Sequence, residues 1–254
     1  MPNSSAAAQI YQCLSNNTMF PESLSQTLSL DDAYGVQFEL LALRLSDGQT
    51  QAGWKVGLTA KAMQEQQGVH EPCLGHLTGK GRLTSPARMV FDELMAPGFE
   101  NELCMRMKAP LSGPDVSVEA AKAAVGEVAP AIEVIEKRGV FRDDFPLAVA
   151  GNAQQCAFVT GAFRRFQPDT DLAAIRAEIF VNDQSCETAT GDAVLGNPMH
   201  SIVWLAQKLN QYGRGLEPGD LIMSGSFTKQ YQVAKGDRVR TEFTDLGPVE
   251  VEFA

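Results

Sequence analysis

The spacing of apolar positions changes character near residue 84. Before it, apolar residues recur at helical intervals. Residues 6–15 make a modest amphipathic helix, and a second begins in "SLDDAYGVQFELLALRL", where Ser29 and Asp32 have capping-box spacing. Leu30, Ala33, Tyr34, Phe38, Leu41 and Leu43 then recur near a 3.6-residue period. "QAGWKVGLT" reads as a short strand with glycines toward both ends, and "TAKAMQEQQG" as a helix closed by Gly68. Beyond residue 84, "ELCMRMKAPL", "PAIEVIE", "AFVTGAF", "AEIFVND" and "LIMSGSFT" are short runs of strand character. "VSVEAAKAAVGEV" and "MHSIVWLAQKLNQYG" predict helices among them, the second entered at Asn197-Pro198 and left at Gly213. Two Gly-Asp turns near the C-terminus, each followed by a strand, predict consecutive strands of one β-rich body. The fold class is α+β: an N-terminal region, 1–83, packed on a β-rich domain, 84–254, the two read as one structural unit.

Composition narrows the function classes. The chain has 254 residues, 44% of them apolar and 20% charged, enough to bury a sizeable core. A net charge of −10 excludes a general nucleic-acid or anionic-membrane surface, and an anionic substrate would need a local cation to receive it. No apolar stretch approaches a membrane span, and "MPNSSAAAQIYQCLSNN" lacks the basic and apolar regions of a secretory signal. Five scattered cysteines with no C-x-x-C pair point to reduced thiols and a cytoplasmic location.

The candidate chemistry begins at "GFENELCMRM". After Glu102 this stretch reads as a strand, and i, i+2 residues of a strand share a face, so Glu100 and Glu102 project side by side. Alone, such a pair is an ordinary solvated strand end. "EVAPAIEVIEKRGV" changes that reading, because Glu133 interrupts an otherwise apolar run where a buried carboxylate needs a partner. Two like charges about 4 Å apart repel by roughly 4 kcal/mol at an effective dielectric of 20. A hard divalent cation such as Mg²⁺ or Mn²⁺ turns that repulsion into coordination. Spacing alone does not bring Glu133 to the pair.

In "GWKVGLT", Lys55 sits in mid-strand between Gly53 and Gly57. It is either a snorkelling side chain at a sheet edge or a pocket ammonium for a carboxylate or oxyanion, with Gly57 admitting the substrate to the backbone. His70 and His76 flank "EPCLG" in an expected loop and His200 lies near a helix start; H-x5-H is no metal spacing, so all three read as surface or packing residues. Cys104 follows Glu102 with no histidine paired to it and reads as an inert buried thiol.

Taken together, "GWKVGLTAKAMQEQQGVHEP", "ENELC", "PAIEVIE", "LGNPMHSIVWLAQKL" and "PGDLIMSGSFT" with a following "GDRV" resemble the 2-keto-4-pentenoate hydratase and 4-oxalocrotonate decarboxylase family of the fumarylacetoacetate hydrolase superfamily. The likeness runs in the same order from about residue 30 to the C-terminus. It implies a mixed β-sandwich roll with a small helical N-terminal region, and Mg²⁺ or Mn²⁺ held by Glu100, Glu102 and Glu133. It also implies Lys55 and Cys73 as catalytic positions and Gly57, Leu74, Asn152, Gln155 and Thr228 as substrate-binding positions. Its activity would be addition of water to a 2-hydroxy-2,4-dienoate or 2-oxo-alkenoate in aromatic meta-cleavage catabolism, with a small 2-oxo acid as substrate. A homo-oligomer, or a complex with a neighbouring pathway enzyme, is the expected assembly.

The chain departs from the family pattern twice. Pro72-Cys73-Leu74-Gly75 stands where Pro-Asp is common, and Gly151-Asn152-Ala153-Gln154-Gln155 where Asp-Asn-Ala-Ser-Ser is common. Both changes remove an acid. One metal site would serve hydration and decarboxylation alike, so decarboxylation of a 2-oxo-hexenedioate is the second reading, for which Lys61, Lys80, Arg106 and Arg164 are candidate distal cations. C–C bond hydrolysis is disfavoured because no activating histidine can be assigned. A metal-binding subunit that has lost catalysis is the reading from a different class.

Overall fold

The computed structural model describes residues 2–139 and 144–254. Along the chain run α1 (Pro2–Ser15), α2 (Leu30–Ser46), β1 (Gln51–Gly57), α3 (Lys61–Gln66), β2 (Cys73–Thr78), β3 (Arg82–Thr84), β4 (Ala87–Met89) and β5 (Pro97–Met107). They are followed by α4 (Val118–Ala124), β6 (Val125–Glu136), α5 (Phe145–Ala150), β7 (Gln155–Thr160), β8 (Arg164–Arg165), β9 (Arg176–Val181) and β10 (Gln184–Thr190). The last elements are α6 (Met199–Gln211), β11 (Leu221–Met223), β12 (Tyr231–Gln232), β13 (Arg238–Phe243) and β14 (Gly247–Phe253).

Ser29 caps α2 as its spacing predicts, its hydroxyl accepting from Asp32 N–H. Two boundary shifts bear on the site. The helix expected over "VSVEAAKAAVGEV" ends at Ala124, because β6 begins at Val125 and pairs with the whole length of β5; ladder formation overrides the helical propensity of the Ala-rich run. The strand expected after Glu102 starts at Pro97, five residues before Glu102 itself, so both glutamates of the pair lie well inside it.

The strands form two layers. A nine-stranded sheet has the order β2-β1-β11-β5-β6-β7-β3, with β12 added on β5 and β8 on β6; a five-stranded sheet has the order β10-β9-β13-β14-β4. The second layer packs through β13 and β14 against β6 and β7. The two strands after Gly-Asp turns are therefore not neighbours: β11 joins the large sheet and β13 the small one. The polar hairpin partner β10 follows β9 through Asn182 and Asp183, both at positive φ, the geometry of a two-residue turn that matches strand twist.

Strand parity decides what each face of the large sheet carries. On β5, Phe99, Leu103, Met105 and Met107 enter the main apolar core, whereas Cys104 belongs to a smaller cluster on the opposite face with Leu77, Ala131, Phe158, Leu221 and Met223. Glu100 and Glu102 share the parity of Cys104. The main core lies on the helix-bearing side, where α2 packs on both α1 and α5.

Candidate metal centre and active-site cleft

Register brings the three glutamates together. Glu100 is directly opposite Glu133 in the antiparallel β5–β6 pair, and Glu102 is two residues along on the same face. Opposed residues on one face have Cβ atoms about 4.5–5.5 Å apart. One carboxylate oxygen of each of the three lies within 4.8 Å of the others. Glu102 and Glu133 are fully buried, while Glu100 is partly open.

The surroundings fit a cation. Glu102 Oε2 accepts from Gly225 N–H at 2.8 Å, but Glu102 Oε1 and both Glu133 oxygens are buried with no hydrogen-bond partner among the described residues. Burial, then Glu133, pushes the Glu100 carboxyl up to about 7, with Lys55 opposing. Burial and the neighbouring Glu133 and Glu100 drive Glu102 well above the usual carboxylate range. Buried oxygens without donors are costly unless something positive meets them, and an all-oxygen set suits a hard divalent ion.

Lys55 is buried rather than snorkelling. Its Nζ stands 3.5 Å from Glu133 Oε1 and donates to the Ala153 carbonyl at 3.2 Å. Across the β1–β2 pair, Gly57 faces Cys73 and Lys55 faces Gly75. A Cβ at Gly57 would lie 3.1 Å from Cys73 Sγ and 3.2 Å from Lys55 Nζ, so any larger residue would occupy the space these two groups share. Burial raises the Cys73 thiol, Lys55 opposes, and the balance leaves it pushed up to about 11.

A cleft of about 670 Å³ opens over this end of the sheet. Its walls include Lys55, Gly57, Cys73, Glu100, Ile135, Ala153, Gln154 and Thr228. Three of the expected substrate-binding residues lie elsewhere. Leu74 has the opposite parity from Cys73, pairs with Val56 and enters the main core. Asn152 is buried beneath the site, where Oδ1 accepts from His76 N–H at 2.7 Å and Nδ2 donates to the His76 carbonyl at 2.9 Å. Gln155 turns to a separate cleft on the N-terminal side, and Gln154 takes the wall position instead.

The candidate distal cations are also elsewhere. Arg106 pairs with Glu127, Arg164 donates to the Leu246 carbonyl, Lys80 lines the other cleft, and Lys61 is exposed at the start of α3. His76 lies in β2, not in a loop; that strand is buried along its whole length and so shows no alternation in sequence. His70 and His200 are exposed. Cys104 is the inert thiol expected, raised by burial to about 12.

Sequence reasoning missed Asn101, between the two glutamates. Its Nδ2 donates to Thr228 Oγ1 at 3.0 Å and its carbonyl accepts from Phe227 N–H at 2.8 Å, tying the 224–228 segment over β5. That segment delivers Gly225 N–H to Glu102. A side chain at Gly225, whose φ is +102°, would meet Thr59 at 2.3 Å. The Gly151 departure has a packing cause as well, since a Cβ there would lie 2.4 Å from the Phe20 ring, which fills the space of the missing acid.

The family model for the fumarylacetoacetate (FAA) hydrolase C-terminal region matches residues 77–254. The chain belongs to the fumarylacetoacetate hydrolase family. Within it, the chain is 31% identical over 229 residues to 2-hydroxyhexa-2,4-dienoate hydratase of Comamonas testosteroni, covering 89% of this chain and 87% of that one. It is 33% identical over 227 residues to 4-oxalocrotonate decarboxylase of Pseudomonas putida, covering 89% and 86%. Among solved structures, 4-oxalocrotonate decarboxylase from Pseudomonas putida G7, complexed with magnesium and adipate, superposes with a TM-score of 0.94 at 30% identity, covering 100% of this chain and 97% of that one. The α+β roll of this family is the fold described above.

Proposed function

We propose that this protein is a divalent-metal-dependent hydratase that adds water to a 2-hydroxy-2,4-dienoate or 2-oxo-alkenoate of aromatic meta-cleavage catabolism. The observation that carries it is the convergence of Glu100, Glu102 and Glu133, with buried unpartnered oxygens, beside a buried lysine at the closed end of a cleft. Likeness to hydratases supports the activity, and the magnesium complex of the similar decarboxylase supports Mg²⁺ or Mn²⁺ as cofactor.

In this reading the three glutamates hold the ion, which when bound supplies Lewis-acid polarisation of a carboxylate and an adjacent 2-oxo oxygen. Lys55 stays an ammonium, because the neighbouring carboxylates outweigh its burial. It offers charge to the substrate's carboxylate or developing oxyanion. Cys73, at Gly57, is placed to exchange a proton with the substrate carbon chain. Thr228, pinned through Asn101, fixes the opposite wall. The same electron sink serves decarboxylation of a 2-oxo-hexenedioate, which the likeness to 4-oxalocrotonate decarboxylase supports as the second activity.

Turnover of a panel of 2-hydroxydienoates and 2-oxo-hexenedioate with Mg²⁺ tests the reading. EDTA should abolish it and Mn²⁺ restore it. Glu102→Gln should weaken Mn²⁺ binding sharply while leaving the fold intact. No turnover of any member, with Mn²⁺ bound normally, would favour the non-catalytic subunit. We also place the protein in the cytoplasm, where its five free cysteines persist reduced, and expect self-association, which sedimentation velocity would check.

A further inference from the structure

We infer that the preferred substrate carries a second carboxylate, received at the open end of the cleft by Lys137 and Lys229. This rests on the metal-dependent 2-oxo-acid reading above and adds the substrate class.

The cleft is chemically graded. Residues 133, 135 and 137 share a parity running out from β6. Glu133 belongs to the glutamate cluster, Ile135 lines the middle, and Lys137 lines the far end. At about 3.3 Å per residue, Lys137 lies about 13 Å along the backbone from Glu133, a gap a lysine stem shortens by reaching back. Leu58 and Met63 also line the cleft and supply apolar surface for a carbon chain.

The facing wall repeats the pattern. Thr228 is pinned by Asn101, and Lys229 comes next, its ammonium 5.3 Å from the Tyr231 ring centroid. Tyr231 is itself fixed, stacked on Phe99 at 5.3 Å and paired with it across β5. Among the described residues, neither lysine has a carboxylate within ion-pair distance, and the lining acid of this cleft, Glu100, is in the metal cluster at the other end. Gln230 Nε2, also in the lining, is a buried donor without a partner among the described residues. Among the described residues, a chain of net charge −10 thus leaves two cations without a carboxylate and a neutral donor without a partner where the distal end of a bound 2-oxo acid would lie. A monocarboxylate would put hydrocarbon against both ammoniums.

The test compares two acids of equal length, 2-oxoadipate and 2-oxohexanoate, binding to the Mn²⁺-saturated protein by titration calorimetry. The expected result is at least about tenfold tighter binding of 2-oxoadipate, the equivalent of one charge-assisted contact. Lys137→Met and Lys229→Met should each lower that affinity by about fivefold, the upper end for a solvent-facing ion pair. Neither variant should weaken 2-oxohexanoate or Mn²⁺ binding, and Lys229→Arg should retain the preference. Equal affinity for the two acids, or variants that weaken both alike, would overturn the proposal. Failure of both acids to bind the Mn²⁺-loaded protein would remove the 2-oxo-acid reading itself, and this inference with it.

Discussion

Lys55 and Glu133 meet although their strands do not. Lys55 lies on β1 and Glu133 on β6, with β11 and β5 between them in the sheet, yet Nζ stands 3.5 Å from Oε1. The sheet is curved enough for side chains from non-adjacent strands to converge on its inner face. Burial alone would lower the Lys55 pKa; Glu133, with Cys73, Glu100 and Glu102, reverses this and holds it above the ordinary lysine value. The pair is an ion pair without a hydrogen bond, since neither Glu133 oxygen receives one among the described residues.

Replacing Lys55 by Met keeps the stem and deletes the charge. The carboxylate cluster then loses its internal counter-ion, so Mn²⁺ affinity should hold or rise. Affinity for a 2-oxo acid should fall roughly ten- to a hundredfold, the equivalent of about 1.5–3 kcal/mol for a charge-assisted contact. Calorimetry with Mn²⁺ and then oxalate separates the two effects. Unchanged oxalate binding would place Lys55 outside the substrate site.

Much of this was legible in sequence because it follows from parity. Glu100 and Glu102 had to share a face once the stretch was a strand, and Ser29 had to cap the following helix. What parity could not give was register across strands. Nothing local says that Glu133 opposes Glu100, or that Leu74 turns away while Cys73 turns in. The misplaced residues have the same cause: Asn152 opens, and Gln155 follows, a turn whose three residues, Asn152, Ala153 and Gln154, all have positive φ. That turn rotates Gln154 onto the cleft, and no residue type in the run except asparagine announces a left-handed backbone.

Asn152 deserves a test of its own, because β2 is an edge strand. The amide of Asn152 pairs with both backbone groups of His76, standing in for a missing neighbour strand. Asn152→Ala would leave that buried N–H and C=O unpaired and put alanine at a φ of +71°. A stability loss of about 2–4 kcal/mol in urea unfolding is expected. Loss of the Ala153 carbonyl's position would also weaken 2-oxo-acid binding through Lys55. A loss below about 0.5 kcal/mol would show that the edge closes another way.

His76 should make stability depend on pH. Its Nε2 lies 3.1 Å from Arg44 Nη1 and must accept, since a guanidinium has no acceptor, so the buried ring is neutral. Burial first, then Arg44 and Arg214, holds its pKa well below the ordinary value of 6.5. In the unfolded chain the ring titrates near about 6.5. Between the two values the unfolded state binds a proton that the folded state refuses, so stability is full above the unfolded pKa and falls as pH drops. The slope is at most about 1.4 kcal/mol per pH unit. In excess Mg²⁺, which keeps the glutamate cluster charged, wild type should lose stability from pH 7 to 5 more steeply than His76→Gln. Parallel curves would remove His76 as the cause.

Cys73, buried in the cleft wall, is the sharpest departure of this chain from the family pattern. An acid is common at this position in the family, and an acid exchanges protons with a carbon chain at neutral pH. The thiol here is buried against Gly57 and Lys55, and burial pushes it up to about 11, so at pH 7 it is neutral and a poor base. Slow hydration of simple 2-hydroxydienoates follows, unless the proper substrate needs no acid at this point. Cys73→Asp should raise hydratase turnover, because the neighbouring Lys55 ammonium would hold the new carboxylate ionised. Cys73→Ser, which keeps size and removes the thiol, should stay slow. If Cys73 only packs its strand, the aspartate would be neutral in rate and mildly destabilising. Side-by-side rates for the three proteins decide the matter: fast hydration by wild type, indifferent to both substitutions, would take the proton-transfer role away from this position.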